Sequence, residues 1–211
     1  MSSVAITGNA AGAGVFTLAS PNSASSFTAT LPAATTTLVG TDATQTLTNK
    51  TIEGGAITSG TVVSVSGTTV DFTSIPSWVK RITIAMQSIS TSGSSSYILR
   101  IGNTTFTTTG YVSVMNYVAI TANSSTGDTS TTGFLLTKDG SSSFAFTALA
   151  TIVLQSSGFY ICTFTGMNSA GPGFFGTGHL NLGSVLDRVR LTTVNGTDTF
   201  DAGSINILYE G

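Results

Sequence analysis

From Ile57 onward the hydrophobic positions alternate with polar ones at a period of two. Ile82, Ile84 and Met86 share one face of a strand, with Arg81, Thr83 and Ala85 on the other. Ile205, Ile207 and Tyr209 likewise oppose Ser204, Asn206 and Glu210. Successive strand side chains point to opposite faces, so this pattern predicts half-buried strands. It predicts strands over Val62–Val65, Thr69–Phe72, Arg81–Ile89, Tyr97–Ile101, Tyr111–Thr121, Gly133–Thr137, Ser143–Gln155, Phe159–Phe164, Val185–Thr193 and Ser204–Tyr209. Gly, Ser and Asn fill the separators, including Thr91–Ser94, Asn123–Asp128, Lys138–Gly140 and Gln155–Gly158, and these residues supply turn conformations. In the last long strand Val185, Val189 and Leu191 share a face with Asp187, while Arg188 and Arg190 share the opposite one. Asp187 is expected to be a satisfied edge carboxylate or an arginine's partner. No stretch combines caps, a 3.6-residue period and composition for a long helix. The expected fold is all-β, an antiparallel, jelly-roll-like β-sandwich head over 57–211.

Before Ile57 the pattern thins. Residues 1–56 hold only three charges, Asp42, Lys50 and Glu53, and their larger apolar side chains come singly or in small groups. Val15–Leu18 and Phe27–Leu31 read as short strands, punctuated by Pro21 and Pro32. One copy carries too little apolar material to offset the entropy of ordering its backbone, about 1–2 kcal/mol per residue. A flexible linker would not need Phe16, Leu18, Phe27, Leu31, Leu38, Leu47 and Ile52 at their spacing. These seven are therefore read as an interface between several copies of an extended oligomerising or anchoring arm.

Composition sharpens this picture. Of the 211 residues 40% are hydrophobic but only 8% charged, against about 25% charged in a typical soluble domain. Ser and Thr suit a β-rich surface. A surface poor in Lys and Glu also suits burial against other chains, so a permanent oligomer is expected. A net charge of −2 and scattered basic residues argue against nucleic acid as a partner. The first ten residues lack the features of a signal peptide, and no apolar run is long enough for a membrane span.

Candidate chemistry is sparse. Cys162, the one cysteine, stands in the apolar run Phe159–Phe164 and reads as a small buried hydrophobe. With one histidine, His179, no multi-histidine metal site is available. The two glutamates, Glu53 and Glu210, sit far apart in sequence, and no motif frames a nucleophilic serine. No catalytic residue, metal or cofactor is expected. Gly171-Pro-Gly-Phe-Phe-Gly176 fits a dinucleotide fingerprint only formally, because the motif needs a helix after it and Thr177-Gly178-His179 follows instead. The glycine-rich stretch Gly166–His179 is expected to be a permissive loop. Adjacent Phe174 and Phe175 should point opposite ways. Phe174, Phe175 and His179 are read as a plug over the core, a subunit contact or a receptor contact. Asn195-Gly196 is a hairpin-turn signal, and Asp198 and Asp201 beside it, with backbone oxygens, are a candidate for calcium.

Several stretches resemble a known class. Phe16–Val39, with its T-L-P-A-x-T-x-T-L core, resembles units of bacteriophage tail-fibre and other virion proteins, and Gln45–Ile52 (Q-T-L-T-N-K-T-I) is similar to a motif of the same class. Ile75–Ile84 (I-P-S-W-V-K-R-I-T-I) and Phe200–Gly211 resemble the opening and closing strands of β-sandwich heads in phage virion proteins. The resemblance implies a non-enzymatic virion component, homotrimeric, made in the bacterial host cytoplasm. Its arm would contact other virion proteins, and its head would bind a host-surface glycan or protein. The alternative it leaves open is a capsid decoration or head-fibre protein gripping the shell through the arm.

Overall fold

The computed structural model describes Gly12, Ala24 and residues 57–119, 124–140 and 142–211. The chain divides into two units, Met1–Lys50 and Thr51–Gly211. The expected arm and its interface residues Phe16, Leu18, Phe27, Leu31, Leu38, Leu47 and Ile52 lie outside the described residues.

Every regular element among the described residues is a strand: β1 (Ile57–Ser59), β2 (Val63–Ser64), β3 (Thr69–Phe72), β4 (Arg81–Thr91), β5 (Tyr97–Asn103), β6 (Thr105–Phe106), β7 (Val112–Ala119), β8 (Ser124–Ser130), β9 (Phe134–Leu135), β10 (Phe146–Ser156), β11 (Phe159–Asn168), β12 (Gly173–Asn181), β13 (Arg188–Thr193) and β14 (Phe200–Glu210). All their pairings are antiparallel. A large sheet runs β1-β14-β4-β10-β11-β12-β7-β8, with β2 also on β14. A small sheet runs β3-β13-β5-β6, with β9 also on β5. The fold is the expected all-β antiparallel sandwich.

The period-two pattern places the core between the sheets. Ile82, Ile84 and Met86 of β4 and Ile205 and Ile207 of β14 are buried, as the alternation requires. Ala150 and Ile152 of β10 and Tyr160 and Cys162 of β11 continue the layer, and Leu99, Ile101, Val189 and Leu191 of the small sheet close it. Tyr97 ties the layers together: its ring meets Phe146 at 5.9 Å and Phe200 at 5.8 Å. Tyr111 is buried edge-on to Phe134 at 5.0 Å. The Tyr111 hydroxyl accepts the Ile101 N–H at 2.8 Å and donates toward the Ile101 and Thr107 carbonyls. Burial pushes its pKa up to about 12.

Four sequence-based expectations are corrected. Gly166–His179 is not a loop: it is the end of β11, a short connection and most of β12. Its glycines serve close packing, since a Cβ at Gly176 would overlap the Phe164 ring and the Val114 carbonyl, and one at Gly178 would crowd Phe134. Of the expected turn Asn123–Asp128, Asn123 lies outside the described residues and Ser124–Asp128 is not a turn, because β8 begins at Ser124 as an edge strand paired to β7 through its backbone. Asn195-Gly196 is not a hairpin turn, because β13 and β14 belong to different sheets. The Asn195 side-chain oxygen instead knots this crossover, accepting from Thr193, Thr197 and Asp198. Finally, β13 starts at Arg188, so Val185 is not on the strand and is partly exposed. Asp187 binds the Arg188 guanidinium at 2.7 Å and the Thr104 N–H at 3.1 Å, so both roles expected of it are filled.

Candidate functional site

The site is built from the face of the large sheet that turns away from the core. Along β4, β10, β11, β12 and β7 the outward positions fall into cross-strand rows. One row reads Arg81, Val153, Ile161, His179, Val112. The next reads Thr83, Thr151, Thr163, Thr177, Val114, and the third Ala85, Leu149, Thr165, Phe175, Asn116. Beyond them come Thr147, Met167, Gly173 and Val118. Eight large apolar side chains of this face are exposed: Val112, Val114, Val118, Leu149, Val153, Ile161, Met167 and Phe175. Phe175 and Leu149 are 48% and 49% exposed, which is unusual for side chains set in the middle of a sheet.

The face is almost without charge. Its outward positions on these five strands hold two ionisable side chains, Arg81 and His179. Arg81 is paired with Glu210 of β14 at the border. His179 stacks on Phe159 with ring centroids 5.1 Å apart. Threonines fill the centre, and β-branched residues pack well on a pleated surface. Two shallow depressions mark the face at diagonally opposite corners. One, of about 780 Å³, lies over β14, β4, β10 and β11 between Val62, Leu149, Met167 and Asn206. The other, of about 390 Å³, lies between Val112, Ile161, Thr177 and His179. Among the described residues their walls carry no carboxylate and no thiol. What this face offers is flat apolar contact with a few hydroxyls.

The three residues singled out on the glycine-rich stretch separate. Phe175 and His179 point outward and belong to this face. Phe174 points inward, is buried, and meets Tyr117 at 5.3 Å and Phe146 at 5.6 Å. It is a core residue. Cys162 is buried, and burial pushes its thiol up to about 12. Asp198 spends its carboxylate on the Asn195 amide at 2.7 Å and the Ser95 N–H at 2.9 Å, and Asp201 accepts from the Ser90 hydroxyl. No group of three or more metal-ligating side chains occurs among the described residues.

Sequence reasoning missed most of the outward apolar set. Its signal is the run Ala148-Leu-Ala-Thr-Ile-Val-Leu154, apolar on both faces of one strand, a pattern typical of strands covered on both sides. No protein-family model, curated protein or solved structure matches this chain.

Proposed function

We propose that this protein is a non-enzymatic structural component of a phage virion, a homotrimeric tail fibre whose head packs against copies of itself through the open face of the large sheet. The observation that carries the reading is that face: five strands wide, apolar and threonine-lined, with its charges confined to one border. Five strands at about 4.8 Å and seven residues at about 3.4 Å span roughly 24 Å by 24 Å, or about 570 Å² in projection. Threonines take up part of that area, and the apolar share falls within the range of the largest patch on an ordinary monomer, which is often functional. The relief of the side chains brings its accessible area toward the 800 Å² or so that each partner buries in a stable complex. A second copy is a fitting occupant, because an uncharged face presents no like-charge clash to itself. The motifs at Phe16–Ile52 and the phrases at Ile75–Ile84 and Phe200–Gly211 supply the virion context. The rest of the head remains for host attachment.

Light scattering of the full chain in non-denaturing buffer tests the assembly, with a trimer as the expected result and a monomer as the refutation. Mass spectrometry of purified virions tests the location. A few trimers per particle fit a tail fibre. Hundreds of copies would replace this reading with a capsid decoration protein.

A further inference from the structure

The outward face of the small sheet carries a different chemistry. Three of the chain's four arginines, Arg100, Arg188 and Arg190, gather there. Arg190 lies directly across from Arg100 on β5 and from Asp71 on β3. It donates to both Asp71 oxygens, at 2.7 and 2.6 Å. Arg188 donates to both Asp187 oxygens, at 2.7 and 3.2 Å. Arg100 has no ion-pair partner among the described residues; its Nε–H donates to the Thr132 carbonyl at 2.8 Å. Three cations and two anions leave one positive charge over, on a chain whose net charge is −2. Like charges directly opposite on a ladder are unfavourable, and burial together with Arg190 lowers the Arg100 pKa. Solubility alone would be served better by scattering so few charges.

The cluster is built rather than incidental. The Arg190 guanidinium carbon stands 4.1 Å from the Phe106 ring centroid and that of Arg188 5.5 Å. The hairpin between β5 and β6 brings Phe106 there. It turns through Thr104 at φ +60, and it needs Gly102, where a Cβ would overlap the Thr105 carbonyl. Asp187, which holds Arg188, also accepts the Thr104 N–H and so ties the hairpin to the cluster. Guanidinium groups stacked on an aromatic and pinned by carboxylates lose little freedom when they meet a ligand.

We propose that Arg100, with Arg190 and Arg188 held on Phe106, binds a carboxylate or phosphate oxyanion carried by an acidic saccharide. The planar guanidinium fork matches either oxyanion. The exposed hydroxyls of Thr104 and Thr105 beside Phe106 suit a polyhydroxylated carrier. Nucleic acid is disfavoured, since one surplus charge neutralises little of a backbone that binds through many phosphates. The proposal rests on the reading of the head as an attachment module and names the class of its receptor.

Calorimetric titration of the full chain tests it, using a short oligogalacturonate, a phosphorylated mannan oligosaccharide and neutral dextran. At least one anionic probe should bind, dextran should not, and the tighter anionic probe identifies the oxyanion. Arg100→Gln should weaken that binding about 10- to 100-fold, as loss of a charge-assisted contact implies. Lys80→Gln, an exposed cation just before β4 of the other sheet, should leave it unchanged. Should Arg100→Gln fail to fold by circular dichroism, Phe106→Leu takes its place, with the same direction expected. Equal binding of all three probes, binding of none, or full binding by the variant overturns the proposal. The oligomeric state measured by light scattering on the same samples is independent of these outcomes, so failure here is distinguishable from failure of the fibre reading.

Discussion

Placing one carboxylate at the centre of the large sheet's open face is the sharpest test of assembly through it. Thr163 lies on β11, the middle strand of the five, between Thr151 and Thr177. No cation lies in its row on these strands. In Thr163→Glu a carboxylate is carried into any interface formed there. Burying it ionised costs several kcal/mol, but protonation caps the penalty. Neutralising a Glu of ordinary pKa, about 4.3, at pH 7 costs roughly 1.36 kcal/mol for each of about 2.7 pH units, or about 3.7 kcal/mol. Each substituted contact should therefore weaken by about two to three orders of magnitude. The cap also fixes the pH signature: association should recover as pH falls toward about 4.5, where protonation costs little. Thr163→Gln, similar in size and uncharged, should retain most of the assembly. Light scattering across a dilution series at pH 7 and pH 4.5 reads all of this, with circular dichroism showing that the head stays folded. If the Glu variant assembles at wild-type concentrations at pH 7, or if the Gln variant fails equally, the open face is not the interface.

Three further outcomes follow from the head itself. Gly176→Ala forces a methyl group against the Phe164 ring and the Val114 carbonyl; it should destabilise the head by about 1–3 kcal/mol and lower its thermal midpoint by several degrees. Cys162, with its pKa pushed up to about 12 by complete burial, should present about one thiolate in 10⁴ molecules at pH 8; an aromatic disulfide reagent should label it only as fast as the head unfolds. The Arg188 hydrogen bond holds Asp187 below its usual pKa, so its contribution is present above the unfolded value and is lost as pH falls through the folded one. The stability difference between the wild type and Asp187→Asn in urea should therefore shrink below about pH 4.

How much of this was legible depends on what each strand buries. β4 and β14 were plain because Ile82, Ile84, Met86, Ile205 and Ile207 put branched or long apolar groups at successive inward positions. β12 was not, because its inward positions run Phe174, Gly176, Gly178, Leu180. Two glycines there make room for Phe164 and Phe134, and a strand that yields volume to its neighbours loses its own alternation. β8, reading Ser-Ser-Thr-Gly-Asp-Thr-Ser, has no apolar signal because an edge strand can be held by backbone bonds alone. The end of β4 hides a second irregularity. Met86 and Ile89 both face inward although three residues apart, and Ser88 at φ +52 with shifted pairing to β10 and β14 absorbs the extra residue. The arginine cluster was half visible, since alternation put Arg188 and Arg190 on one face. Arg100 and Phe106 join them only through strand pairing that local sequence does not encode.

The two surfaces sit on opposite outer faces of the sandwich, and this makes the two proposals, assembly and saccharide binding, separable by experiment. Packed sheets stand about 10 Å apart, so Thr163 and Arg100 are separated by two backbone layers and a filled core, beyond the range at which substitutions usually couple. For a short saccharide carrying one oxyanion, Thr163→Glu should leave affinity unchanged while dissolving the assembly, and Arg100→Gln should do the reverse. A long acidic polysaccharide behaves differently. Three heads joined through their large sheets would engage it together, and linked sites exceed single-site affinity by about 10²–10⁴ without any new contact. On that ligand Thr163→Glu should weaken binding although no residue of the arginine cluster has changed. A head whose polymer affinity survives loss of assembly would have to bind as an isolated module, and the open apolar face would then need an occupant other than its own copies.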